Sequence, residues 1–322
     1  MMKLSGFLLL LLLGTCSVST YENVALRGKA TQSHRYLHNF GDANSAIDGN
    51  RNAIFDAGSC THTIEQANPW WRVDLLQLYI ITSIVITNRE DCCPERINGL
   101  LIHVGSSLDD NGLANPCCAA FSLLSSLRVG TVTQIAAGQS FTLKLKERVV
   151  GRYVTLVLPG VQRVLTLCEV EVHGYPAPTG ENLALQGKAT QSSLYDTGIA
   201  YNAIDGNRNS KWEHASCSHT KNDHIPWWRL DLRKTHKVFS ITITNRDVAA
   251  ERLNGAEIRI GDSLTNNGND NPRCAVITSI PGGDTVQYDC NGMDGRYVNI
   301  VIPGRAEYLT LCEVEVYGSR LD

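Results

Sequence analysis

Two sets of polar residues stand at matching spacing. His62 precedes Arg89 by 27 positions, His219 precedes Arg246 by 27, and a second arginine follows each, at Arg96 and Arg252. Guanidinium and imidazole groups without nearby catalytic carboxylates suit the recognition of neutral hydroxyls by geometry. Taken singly, each residue reads more readily as a surface arginine or a satisfied histidine. Repetition of the whole set carries the functional reading, although shared ancestry makes the two sets less than independent.

A second constellation offers hard oxygen ligands. Asp48 and Asn50 lie in the Gly-containing turn AIDGNRN, as do Asp205 and Asn207 in the second, and calcium prefers such oxygens. The spacing is not that of an EF-hand, because no bidentate Glu follows at the twelfth position. An Asx-turn accounts for these residues equally well. Glu169 and Glu313 would complete a cage if a disulfide drew their strand to the turn. Cys60 with Cys168, and Cys217 with Cys312, would do this. Each pairing closes a loop of roughly 100 residues, worth about 4–5 kcal/mol in the chain-entropy model.

Cys274 and Cys290 then remain to pair in the second half, whereas Cys92, Cys93, Cys117 and Cys118 are left in the first with their connectivity open. The stretch NREDCCPER sets two adjacent cysteines between two arginines. Adjacent α-carbons lie about 3.8 Å apart, below the roughly 4.4 Å lower end for disulfides, so a Cys92–Cys93 bridge is strained. Either each cysteine pairs elsewhere, with Cys117 and Cys118, or the bridge is a rigid apolar knob between Arg89 and Arg96.

Catalytic motifs are missing: there is no GxSxG elbow, HExxH, phosphate-cradling glycine loop or zinc pattern. Glycosidase carboxylates come from distant segments, and nothing nominates a pair. The expected protein is not an enzyme. Trp70–Trp71 and Trp227–Trp228 are either sugar-stacking platforms or, the preferred reading, pairs with one buried ring each. They are left out of the site.

The elements that position these groups come as two copies of one unit. ENVALRGKATQS at Glu22 returns as ENLALQGKATQS at Glu181, PWWRVDL as PWWRLDL, and LTLCEVEV recurs at Leu165 and Leu309. The unit is far longer than a solenoid repeat and has the size of a domain. YIITSIVITN, FSITITN, RYVTLVLPG and RYVNIVIPG are rich in β-branched residues, and Val170 and Val172 alternate with Glu169 and Glu171. No long amphipathic helix is visible. The expectation is an all-β chain of two tandem antiparallel β-sandwich domains of jelly-roll, discoidin-like type, over 21–174 and 181–322, joined by a semi-rigid link at 175–180.

Residues 1–20, with Lys3, the apolar run Phe7 to Leu13 and small residues after it, read as a signal peptide too short for a membrane span. A secreted, extracellular chain able to keep disulfides follows. It carries no N-x-S/T sequon. A formal charge of −3 over 322 residues gives no bias toward nucleic acid, and no membrane insertion is expected. The choice between monomer and homo-oligomer stays open.

Taken together, ENVALRGKATQS, SCTHT, NPWWRVDL, ITNREDCCPER and LCEVEVHG resemble the F-type lectins, the fucolectins, with both copies covered almost end to end. That resemblance implies a jelly-roll sandwich with bound Ca2+ whose partners are fucosylated glycans, and a role in innate recognition of microbial surfaces. It implies that His62, Arg89, Arg96, His219, Arg246 and Arg252 donate to terminal α-L-fucose, and that Cys92 and Cys93 form a vicinal disulfide against the sugar. Implied calcium ligands are Ser45, Asp48, Asn50, Ser59, Cys168 and Glu169, then Asn202, Asp205, Asn207, Ser216, Cys312 and Glu313, several through backbone carbonyls.

Three departures bear on this. The second copy reads NRDVAAER, without the cysteine pair and with its arginines six apart instead of seven. The first copy has Leu145 near where a partner for Cys118 is expected, and gains Cys117. The rim residues Asp56 and Glu213 differ. A discoidin-like adhesion module binding protein or lipid headgroups is the alternative; it requires exposed apolar spikes at the loop tips.

Overall fold

The structure, a computed structural model, describes residues 21–120 and 134–321. The expected leader at 1–20 lies outside these residues. So does the side chain of Cys118, and with it the question of a Cys117–Cys118 bridge.

The first copy contains β1 (Lys29–Gln32), β2 (Thr61–His62), β3 (Trp70–Thr87), β4 (Leu101–Gly105), β5 (Cys117–Ala120), β6 (Ser140–Val157), β7 (Thr166–Leu167) and β8 (Glu169–Pro176). The two-residue period of PWWRVDL buries Trp71, Val73 and Leu75 and turns Trp70, Arg72 and Asp74 outward. After Asp74 the register shifts, Leu76 takes a φ of 70°, and the Asp74 carboxylate accepts from the Leu76 N–H at 2.8 Å. This bulge bends β3. Its first half pairs with β1 and its second half with β8. β6 bends with it and carries β4 and β5 on its second half. One hydrogen-bonded sheet is thereby folded into two facing layers.

The second copy repeats the plan with β9 (Lys188–Gln191), β10 (Ser218–His219), β11 (Asp223–His224), β12 (Trp227–Thr244), β13 (Glu257–Gly261), β14 (Arg273–Val276), β15 (Thr285–Val301), β16 (Ala306–Glu307), β17 (Thr310–Leu311) and β18 (Glu313–Arg320). Its bulge falls at Arg233, φ 73°. Helical structure among the described residues is limited to short 3-10 turns. The protein is all-β, two tandem antiparallel sandwiches, as the strand patterns predict.

Each copy has its own core, built around Trp71, Ile84, Leu156 and Val170 in one and Trp228, Ile241, Ile300 and Val314 in the other. One ring of each tryptophan pair is wholly buried, and its indole N–H donates to Ala43 O or Ala200 O at 2.9 and 3.0 Å. The CEVEV strand departs from simple alternation. Val170 and Val172 enter the core, yet Glu169 and Glu171 are buried as well, because the Asp48 loop covers the other face and Arg51 pairs with Glu171.

The copies touch beside the link. Tyr175 and Pro176, expected as linker, instead extend β8. Tyr175 stacks on Phe239, and the Lys237 ammonium lies 5.3 Å from the rings of both Tyr21 and Tyr175 while donating to Asp294 at 2.7 Å.

Candidate functional site

β2 and β7 pair across Thr61–Leu167 and His62–Thr166, which sets the histidine beside the final strand; β10 and β17 do the same for His219. A loop backbone passes close behind each ring. The His62 N–H donates to Gly41 O, and the His219 N–H to Gly198 O. A β-carbon on Gly198 would lie 2.5 Å from that of His219, so the position requires glycine.

The histidine Nδ1 lies 2.7 Å from the Thr63 or Thr220 carbonyl. A carbonyl only accepts, so Nδ1 carries the proton, and on the neutral ring Nε2 is an acceptor. Burial, and secondarily the neighbouring arginines, hold both histidines below the ordinary imidazole range. The residue chosen from sequence as a third donor is therefore the one acceptor between two donors. Arg96 Nη1 approaches His62 Nε2 at 3.5 Å.

The arginines are held differently in the two copies. Arg89 lies 4.7 Å over the Phe55 ring and is clamped by both oxygens of Asp91, at 2.7 and 2.8 Å. That clamp pushes the Asp91 carboxyl down to about 2. Arg246 lies over Trp212 at 5.4 Å, and its Nε is buried with no hydrogen-bond partner. Arg252 lies 4.7 Å over Tyr308. Cys93 and Ala249 occupy the same left-handed backbone position before a 3-10 turn, with φ of 55° and 57°. Counting back from them, Cys92 corresponds to Val248, which is 58% exposed; the Glu90 N–H donates to Ala53 O as the Asp247 N–H does to the equivalent Ser210 O, so Asp91 is the inserted residue.

Sequence reading missed Asp91, the ring platform of Phe55 or Trp212, and Tyr308. It also missed a shared buttress: Arg163 donates to Arg96 O and Asn98 O, and Arg305 to Arg252 O and Asn254 O. The signal was obscured, since Arg163 aligns with Glu307 in the repeat and the buttress comes from a shifted position.

Disulfides join Cys60 to Cys168, Cys92 to Cys93, Cys217 to Cys312 and Cys274 to Cys290. Those closing 108 and 95 residues bring Ser59 and Ser216 to the Glu169 and Glu313 strands. One oxygen of Glu169 accepts from the Gly49 N–H at 3.2 Å, and one of Glu313 from Gly206 at 3.1 Å; the other oxygen of each is buried and unpartnered. Burial, then Asp48, pushes the Glu169 carboxyl up to about 8, and burial pushes Glu313 up to about 7. Two buried carboxylates with orphaned oxygens beside Asp48 and Asp205 fit a hard cation. Among the described residues no three His, Cys, Asp or Glu side chains gather as a metal cluster. The donor set in each copy is instead two carboxyl groups with amide and backbone oxygens around them.

Asp48 and Asp205 are committed in part to Asx-turns, accepting from Asn50 N and Asn207 N. Asn50 and Asn207 accept in turn from Asn52 N and Asn209 N. The Ser59 and Ser216 hydroxyls donate to loop carbonyls, and Asn202 donates to Cys217 O. The Ser45 N–H donates to Asp42 O.

A bent two-layer sandwich with polar side chains gathered on its loops defines a domain of the galactose-binding-like class, and the family model described as NedA-like, galactose-binding domain matches residues 45–156 and 202–300. Fucolectin-4 of Anguilla japonica is 51% identical over 155 residues, 47% of this chain and 79% of the relative. The fucolectin of Anguilla anguilla is 48% identical over 157 residues, 48% and 92% of the two chains. A crystal structure of a fucolectin from the serum of Morone saxatilis, the striped bass, is 70% identical and superposes with a TM-score of 0.89 over 94% of this chain and 99% of that one. The chain belongs to the F-type lectins, the fucolectin family.

Proposed function

We propose that each copy binds a terminal α-L-fucose residue, and that the chain is a secreted, bivalent, non-catalytic lectin directed at fucosylated glycans on microbial surfaces. The observation that carries this reading is the repeated triad of one acceptor, His62 Nε2 or His219 Nε2, beside two arginines. A sugar hydroxyl both donates and accepts, so one placed between imidazole and guanidinium satisfies both. The 6-methyl of fucose needs an apolar neighbour, which the Cys92–Cys93 bridge supplies in one copy and exposed Val248 in the other; burying such a group is worth about 1 kcal/mol.

Calcium, held by Glu169 and Glu313 with the oxygens of their Asp48 and Asp205 turns, would be structural. It would neutralise the buried carboxylates and tie the turn to the last strand. A glycan array of the full chain, with Arg89→Ala and Arg246→Ala separately and together, tests the reading. Binding restricted to fucosylated glycans, weakened in each single variant and abolished in the double one, supports it; binding indifferent to fucose rejects it.

The adhesion alternative has one observation in its favour: Leu37 is 96% exposed on the first copy's loop. Leu37→Asp separates the two. It leaves fucose-dependent binding intact on the lectin reading and abolishes surface attachment on the other.

A further inference from the structure

Trp70, the outward member of its pair, is not used by the arginine site. Its ring lines a concavity of about 360 Å³ in the first copy, together with His103, Asp110, Asn111, Asn68 and Leu113. Trp70, Leu101 and Val157 meet at one end of the sheet, where the first strand residues of β3 and β4 face the last of β6. Arg72 braces the floor, its Cζ 5.2 Å from the Trp70 ring and 5.8 Å from that of Tyr153.

The polar rim is chemically specific. His103 Nδ1 lies 2.8 Å from Asn115 O and so donates, which leaves Nε2 as an acceptor on the neutral ring. Asn68 uses its oxygen to accept from the Gly160 N–H, which leaves its NH2 to donate. An indole floor with an amide donor, a carboxylate and an imidazole acceptor at the edge matches a pyranose, whose C–H face stacks on an aromatic ring and whose hydroxyls supply donors to Asp110. The carboxylate disfavours an anionic sugar.

The second copy is an internal control. Trp227 is retained, but Ile225 stands for Asn68, Asn266 for Asp110 and Arg259 for His103. There Glu257, in place of Leu101, is tied to Arg259 and Arg273, its contact to the latter at 2.8 Å. Ion pairs therefore stand where the first copy has Leu101 and His103.

We infer that the first copy carries a second saccharide subsite, at Trp70 with Asp110, Asn111 and His103, selective for a neutral pyranose and separate from the His62 site. The inference does not depend on which sugar the arginine sites take. The test is a titration of the full chain followed at its five tryptophan indole N–H resonances by NMR, with L-fucose held at saturation and Trp70 assigned through Trp70→Phe. Methyl β-D-galactopyranoside, N-acetyl-D-glucosamine and methyl α-D-mannopyranoside are added separately, with N-acetylneuraminic acid as the anionic control. At least one neutral sugar should shift Trp70 saturably and leave Trp227 unmoved. Asp110→Gly keeps the left-handed backbone at no steric cost and should weaken that sugar about tenfold, the worth of one hydrogen bond to a charged group. No shift at Trp70 with any neutral sugar, an equal response in Asp110→Gly, or a response to N-acetylneuraminic acid alone overturns the inference.

Discussion

The turn from Arg89 to Arg96 and its counterpart from Arg246 to Arg252 reach the same backbone by different means. The first has a vicinal disulfide at its left-handed position; the second has Val248 and Ala249 there, with the same φ. The bridge is therefore not what makes the turn possible. What the copies share is the carbonyl buttress, supplied by Arg163 or Arg305 from non-equivalent positions. What they do not share is Asp91, the one extra residue, which clamps Arg89 and leaves Arg246 with a buried Nε lacking a partner. Arg89 in the first copy (site 1 of the proposed function) is held within the protein; Arg246 in the second (site 2) keeps an Nε donor that no protein group satisfies.

The largest expected effect breaks the pairing of the sites. A short link holds the second site at about millimolar effective concentration, so Arg89→Ala or Arg246→Ala should each weaken attachment to a dense fucosylated surface by about 100-fold. Surface plasmon resonance on dense and sparse fucoside layers checks this; equal losses on both argue against avidity.

Chelation comes next, and should not distinguish the copies. Each holds one buried carboxyl with an orphaned oxygen, pushed up to about 8 at Glu169 and about 7 at Glu313, so without a cation the folded state must take up protons that the unfolded chain does not bind at neutral pH, which costs stability. EDTA should lower the Tm of both domains in calorimetry. A drop confined to one copy would mean that the two turns are not equivalent cation sites.

Asp91→Ala removes the clamp and should bring site 1 toward site 2, weakening fucose at site 1 by roughly tenfold, the worth of a charge-assisted hydrogen bond. Because the Asp91 carboxyl is depressed to about 2, its contribution to stability is full above the ordinary carboxylate value and is lost as pH falls through about 2. In Asp91→Ala that acid-range decline should diminish.

Legibility from sequence followed the same division. The strands and the repeat were readable because β-branched runs are local and the two copies can be laid side by side. In RYVTLV, Val154 and Leu156 enter the core cluster and Tyr153 and Val157 do not, as the two-residue period requires. The acceptor role of His62 was not readable, since it depends on the Thr63 carbonyl fixing the tautomer. Glu169 was readable as a cage candidate, but its burial was not, because that depends on the Asp48 loop covering the outer face of its strand. The buttress escaped because aligning the repeats sets Arg163 against Glu307.

Smaller is the pH effect, which both sites should show together. The His62 and His219 pKa values are lowered by burial, so the acceptor persists below the usual imidazole range. Stability from the neutral rings is complete above the unfolded value of about 6.5 and is lost as pH falls through the folded pKa. Fucose affinity should fall over the same acidic window, as Nε2 turns from acceptor to donor. A fall at one site only, followed by titrating each single-arginine variant, would separate their mechanisms.

Smallest is the cysteine pair. Cys92→Ser with Cys93→Ser should leave the turn intact, as Ala249 shows, and weaken site 1 by about fivefold through loss of the apolar contact, about 1 kcal/mol. Unchanged affinity would mean that the bridge does not touch the sugar.

The most direct measurement is the stoichiometry of free L-fucose by isothermal titration calorimetry of the full chain. Two sugars per chain, one in either Arg89→Ala or Arg246→Ala, and none in the double variant is the predicted result. A double variant that still binds fucose, or a single variant that loses both sugars, would contradict the account of two independent His–Arg sites.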